Sequence, residues 1–189
     1  TRTRGMGVQP SSAPLADLTL DCYADADFAG LWNYEDPHDP ICVRSRTGFV
    51  ITLGGIPVLW ASKLQTEISL STMEAEYIAL STSMRDLLPM RELIAELASS
   101  LGIDRSRLST VSTVWEDNAG TLILANTPMP RVTPRSKHFA VKYHWFRTQL
   151  IPGSIEVRKI DTSLQKADIF TKSLRTSEFV SKRKMIMGW

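Results

Sequence analysis

Residues 47–61 read TGFVITLGGIPVLWA, and residues 71–88 read STMEAEYIALSTSMRDLL. In the first stretch, two runs rich in β-branched and aromatic residues flank Gly54-Gly55, a turn signal. Residues 47–53 and 56–61 are therefore expected to form paired strands. The second stretch opens with Ser71 placed as an N-cap and Glu74 three residues on, the capping-box pattern. Met73, Tyr77, Leu80, Met84, Leu87 and Leu88 then recur at three- and four-residue spacing, which predicts an amphipathic helix. Pro89 should kink or divide that helix, because it removes a backbone donor and crowds the preceding turn. Gly102 closes the segment.

Upstream, Leu18, Leu20, Cys22 and Ala24 alternate with Thr19, Asp21, Tyr23 and Asp25, the period of a strand. Residues 27–46 read as a loop. Downstream, residues 110–115 read as a strand with Asp117 at its end, and Asn118 as the N-cap of a short helix reaching Ala125. A loop rich in proline and basic residues spans 126–138, and 139–150 is expected to be helical. Pro152-Gly153 turns the chain into a strand over 155–160. Thr162-Ser163-Leu164-Gln165 repeats the capping-box pattern and is expected to open a helix carrying Asp168. Three strands in a meander, then strands alternating with helices, make a five-stranded mixed sheet with helices packed on it.

The chain has 189 residues, 43% of them hydrophobic, enough for one sizeable core. Residues 1–17, rich in Ser, Pro, Gly and Arg, read as a linker from a preceding domain, and the missing initiator Met suggests a piece of something longer. Residues 18–174 form the expected domain, and residues 175–189 a basic amphipathic tail. The net charge of +2 does not by itself announce a nucleic-acid binder. Cys22 and Cys42 lack zinc-ligand spacing and read as free thiols in a reducing compartment; nothing in the sequence supports a disulfide between them. No apolar run approaches the ~20 residues that span a bilayer.

Four acids stand at the ends of these elements: Asp25, Glu76, Asp117 and Asp168. Glu76 lies at the edge of the apolar helical stripe, where a charge needs a partner; a salt bridge or a side chain reaching solvent would also explain it. Asp117 reads equally as a cap or turn residue, Asp25 and Asp27 as turn residues, and Asp168 as an acid near a helix start. If the four converge, their repulsion calls for cations, and hard divalent ions with oxygen ligands suit them. Two such ions can activate water and stabilise the leaving oxygen of a phosphodiester.

Several segments in series resemble the ribonuclease H domain of copia-type LTR retrotransposon polyproteins. They are residues 23–30 (YADADFAG), 70–80 (LSTMEAEYIAL), 116–118 (EDN), 136–139 (SKHF) and 167–172 (ADIFTK), with 47–50, 60–63 and 143–147 between them. The resemblance covers residues 18–174. It implies an α/β, ribonuclease H-like fold with strand order 3-2-1-4-5 and helices on both faces. It also implies an Asp-Glu-Asp-Asp site holding two Mg²⁺ ions, with Mn²⁺ a substitute. On this chain the site falls on Asp25, Glu76, Asp117 and Asp168. Asp25 would bridge both ions, Glu76 and Asp117 would hold one, and Asp168 the other. The choice of Asp25 over Asp27 rests on the alignment, whereas helix phase separately favours Glu76 over Glu74.

The implied substrate is an RNA–DNA hybrid, and the implied partner is the upstream reverse transcriptase of the same polyprotein. Cytoplasmic particles, with passage to the nucleus, are the implied location. Arg131, Arg135, Lys137, His138 and Lys142 crowd one loop and could track phosphates, or form a solvated loop. His138 and His144 also read as structural. Ser71 and Thr72 sit where the family contacts RNA, and a hydroxyl there could report the 2′-OH; Ser71 is equally an N-cap. Trp32, Trp60, Trp115 and Trp145 read as core or strand residues. A non-catalytic hybrid-binding module and an integrase-like nuclease are the competing readings. The intact set of acids argues against the first. The early position of the glutamate argues against the second.

Overall fold

A computed structural model describes residues 19–32, 38–103, 111–128 and 143–188. Five strands, β1 (Leu20–Ala26), β2 (Arg46–Leu53), β3 (Ile56–Leu64), β4 (Ser112–Glu116) and β5 (Ile155–Lys159), form one sheet in the order β3-β2-β1-β4-β5. The β1–β2 and β2–β3 pairs are antiparallel, and β1–β4 and β4–β5 are parallel. Gly54 and Gly55, both at positive φ, make the two-residue turn between β2 and β3. That conformation matches the twist of the flanking strands and is open to glycine.

One face of the sheet carries the main core. Cys22 and Ala24 of β1, Phe49 and Ile51 of β2 and Val114 of β4 pack against helix α1 (Thr72–Ser100) through Tyr77, Leu80, Met84 and Leu87. Helix α2 (Ala119–Asn126) adds Leu124 and Ala125 to the same cluster. Ser71 caps α1 by accepting from the Glu74 N–H. The Glu74 carboxylate closes the cap on the Leu70 N–H, one residue earlier than the pattern predicts. Pro89 lies inside α1, and the helix continues past it undivided, so of the expected kink or division the second does not occur. Asn118 caps α2 through the Thr121 N–H, as the sequence indicates.

The other face is covered by residues after β5, where the structure departs from the sequence reading. Residues 162–170 do not form one helix capped at Thr162. They form two short 3₁₀ turns, Thr162–Leu164 and Lys166–Phe170, capped by Asp161 and Gln165. The cause is Gln165, whose buried amide donates to the Ala24 carbonyl and pins the chain across β1. The described part of the helix expected over 139–150 is likewise a 3₁₀ turn, Trp145–Gln149. Within residues 175–189, read as a basic amphipathic tail, Thr176–Met187 form helix α3, which packs on the second of the 3₁₀ turns after β5 and on β3.

Gly48 of β2 marks how closely this layer sits. A Cβ there would lie 2.5 Å from Thr171 Cγ2 and 2.8 Å from Phe170 Cβ. Gly48→Ala should therefore cost roughly 1–3 kcal/mol, the range for overpacking a filled site. Thermal unfolding would show it, and an unchanged midpoint would mean that the 3₁₀ layer yields freely.

Of the tryptophans, Trp115 lies in β4 with its indole N–H on Asp21, and Trp145 donates to Ser81. Trp60 lies on β3 but is 55% exposed. Trp32 is exposed and outside any strand, so neither core nor strand accounts for it. His144 is buried, with Nδ1 2.9 Å from the Tyr77 hydroxyl. Cys22 and Cys42 are free and buried. Burial pushes the Cys22 thiol up to about 12, which suits a packing residue rather than a nucleophile.

Candidate metal centre

β1 and β4 run parallel, so their C-terminal ends lie side by side. Asp25 and Ala26 end β1; Glu116 ends β4 and Asp117 follows it. The N-terminal part of α1 crosses this edge, with Ala75 and Ala79 packed on Ala26. Three small side chains let the helix approach, and Glu76 enters the gap. Its Oε2 accepts from the Ala26 N–H at 2.7 Å. One ligand oxygen from each of Asp25, Glu76 and Asp117 lies within 4.8 Å of the others.

Asp168 stands beside this trio on the 3₁₀ turn Lys166–Phe170. Lys172 joins the two groups, its Nζ 3.1 Å from Asp25 Oδ1 and 2.5 Å from Asp168 Oδ1. The other Asp168 oxygen lies 2.7 Å from Lys182 Nζ. Lys182 is itself buried and donates to the carbonyls of Thr162, Ser163 and Gln165. The Thr171 hydroxyl donates to Asp25 Oδ2. Asp27, by contrast, accepts from the Arg46 N–H and ties the start of the loop to β2.

The electrostatics follow from burial. Asp25, fully buried, has its pKa raised from 3.8 to about 6; desolvation drives the rise, while Lys172 and Thr171 oppose it. Glu76 is raised further, from 4.5 to about 10, by desolvation first and then by Asp25, Glu116 and Asp117. Sequence reasoning did not single out Glu116. It is fully buried and also held well above the usual carboxylate range, chiefly by desolvation. Its Oε1 accepts from the Asn118 N–H, and its Oε2 has no hydrogen-bond partner among the described residues. The available signal was period two: Glu116 is in phase with buried Ser112 and Val114.

These donors are all carboxylates, without a histidine or cysteine among them, and so fit a hard divalent cation such as Mg²⁺ or Mn²⁺. A buried acidic group with an orphan oxygen beside it is the setting in which such an ion lowers repulsion. Ser71 and Thr72 lie at the start of α1, Ser71 as its cap and Thr72 exposed. Arg131, Arg135, Lys137, His138 and Lys142 lie outside the described residues.

Between their unfolded and folded pKa values, Asp25 and Glu76 each hold a proton in the folded protein that the unfolded chain releases. Stability linked to that proton is complete at low pH and is lost as pH rises, through about 6 for Asp25 and toward about 10 for Glu76. In chelator, the thermal midpoint should therefore fall between pH 5 and pH 8. Mg²⁺ should restore more of it at the higher pH. A midpoint that rises over this interval would contradict the assigned ionisation.

The mixed sheet in the order 3-2-1-4-5, with helices on both faces and acids at the β1 and β4 ends, defines a ribonuclease H-like fold. The chain is similar to a segment of the retrovirus-related Pol polyproteins of plant transposons. It is 33% identical over 162 residues to the one from transposon RE1 of Arabidopsis thaliana, covering 86% of this chain and 10% of the relative. It is 31% identical over 171 residues to that from transposon TNT 1-94 of Nicotiana tabacum, covering 90% of this chain and 12% of the relative. The chain thus spans about a tenth of the length of these relatives. Among solved structures, the N-terminal RNase H domain of Rv2228c from Mycobacterium tuberculosis aligns with a TM-score of 0.49 and 13% identity, covering 88% of this chain and 97% of that one. No family model matches the chain.

Proposed function

We propose that this chain is a ribonuclease H that hydrolyses the RNA strand of RNA–DNA hybrids during retrotransposon reverse transcription, with two divalent ions. The observation that carries the reading is the convergence of Asp25, Glu76 and Asp117, with Asp168 reached from Asp25 through one ammonium. Asp25, Glu76 and Asp117 would hold one ion, and Asp25 with Asp168 the other. Asp25 touches both groups, so it is the residue placed to be shared. When bound, such ions supply an activated water and charge stabilisation at the leaving oxygen.

The chain's own residues prepare the site. Thr171 and the Ala26 N–H fix the orientation of Asp25 and Glu76. Lys182 anchors Asp168 to the carbonyls of the turns around it. Glu116 accepts from the Asn118 N–H, setting the turn that presents Asp117. Exposed Thr72 at the head of α1 would meet the nucleic acid, and a 2′-OH is the group its hydroxyl would distinguish. The basic segment from Arg131 to Lys142 would track phosphates, and the upstream reverse transcriptase would deliver the hybrid.

The test is a substrate panel of RNA–DNA hybrid, duplex DNA and duplex RNA, incubated with purified protein in Mg²⁺ or Mn²⁺ with and without chelator. Metal-dependent cutting confined to the hybrid is the expected result. Cutting of duplex DNA would favour an integrase-like nuclease. Hybrid binding without cutting would favour the scaffold reading.

A further inference from the structure

Lys172 follows Asp168 by one helical turn, and its ammonium lies between two carboxylates that belong to the proposed metal centre: 3.1 Å from Asp25 Oδ1 and 2.5 Å from Asp168 Oδ1. A divalent ion shared by Asp25 and Asp168 would use the same oxygens. Like charges at that distance, in a site this buried, repel strongly, so both cannot stay. Asp25 is walled in, but the Lys172 side chain is 38% exposed. It lines an open groove of about 770 Å³ together with Asp27, Arg46, Ser62 and Phe170. The ammonium thus has a solvated place to go, while the carboxylates do not.

We propose that Lys172 is a resident counter-ion of this site: it neutralises Asp25 and Asp168 until a divalent ion displaces it into the groove, and so sets the ion concentration at which the site loads. The inference rests on the metal reading of the acids. It gives the lysine a role in loading rather than in chemistry. The bridge holds the two halves of the site together across 147 residues of sequence. It also lowers apparent metal affinity, because only the fraction of molecules with the ammonium withdrawn is competent to bind. A bridge populated in about nine molecules of ten weakens binding roughly tenfold.

The experiment follows the Lys172 ammonium resonance by ¹⁵N NMR in wild-type protein, first in chelator and then during Mg²⁺ titration. Alongside, calorimetry measures Mn²⁺ affinity for wild type, Lys172→Met and Lys172→Arg. In chelator the resonance is expected to be sharp and protected, and it should be lost as Mg²⁺ saturates. Lys172→Met should bind Mn²⁺ roughly tenfold more tightly than wild type and unfold at lower temperature in chelator. Lys172→Arg should stay near wild type in both. Removing a nearby charge would tighten binding even without displacement, so the wild-type resonance is decisive, and it needs no variant to fold. A protected resonance that persists at Mg²⁺ saturation would overturn the proposal and leave the metal reading standing. If wild type binds neither Mg²⁺ nor Mn²⁺, the metal reading fails and this inference with it.

Discussion

Glu76→Gln should leave the folded protein more stable than wild type in chelator at pH 7, because glutamine needs no proton taken up on folding, and remove its activity on a hybrid. With its pKa near 10, Glu76 carries a proton at neutral pH unless a cation is present. Glutamine copies the shape of that neutral acid, and its side-chain oxygen can still accept from the Ala26 N–H. The fold therefore loses little in contacts. A divalent ion loses a charged ligand, and the stabilisation it brings to the phosphodiester transition state is worth several kcal/mol. Hybrid cleavage should fall by about 10³-fold or more, since each 1.36 kcal/mol is tenfold. The rise in thermal midpoint on adding Mg²⁺ should shrink with it. Cleavage within tenfold of wild type would remove Glu76 from the metal centre.

The second large effect is expected at a residue outside the trio. Lys182 on α3 is buried, contacts Asp168 and donates to three carbonyls. Lys182→Met would strip those acceptors and one carboxylate oxygen of their donor at once. Breaking a buried ion pair from one side costs about 3–5 kcal/mol. For a domain of this size, that is a drop on the order of 10 °C in thermal midpoint. Lys184→Met, an exposed change on the same helix, should move stability by no more than about 0.5 kcal/mol. Activity should fall in Lys182→Met even below its unfolding temperature, because Asp168 loses the contact that orients it. Equal midpoints for the two variants would show that α3 does not anchor the turn beneath it.

The strands and α1 were legible because their signals are local and periodic. Alternation marked β1, and Gly54-Gly55 marked the hairpin. Ser71 and the spacing from Met73 to Leu88 marked the helix. The phase of that helix also distinguished Glu76 from Glu74, and the structure turns the first into the gap and the second onto the cap. Pro89 does not divide α1, because a helix packed along a core can lose one backbone bond and continue. Residues 162–170 misled. The capping pattern at Thr162 is genuine as a pattern, but buried Gln165 reaches across to the Ala24 carbonyl, 141 residues away, and that long-range bond stops a helix from forming. The amphipathic character of residues 175–189 was legible, but not the part played by Lys182, which is buried on helix α3 with Ile186. Glu116 and Lys172 stood inside the quoted motifs without being read as parts of the site. Their importance lies in contacts with Asp25, Asp117 and Asp168 that only the folded chain assembles.

The central claim is that the converging acids at the ends of β1 and β4 cut RNA within a hybrid. The direct measurement uses an RNA–DNA hybrid with each strand labelled separately, incubated in Mg²⁺ with wild type and with Asp117→Asn. The account predicts that wild type cuts the RNA strand only, that chelator stops it, and that Asp117→Asn binds the hybrid without cutting. A folded wild-type protein that cuts neither strand, in Mg²⁺ or Mn²⁺ and with the upstream polymerase supplied, would contradict it.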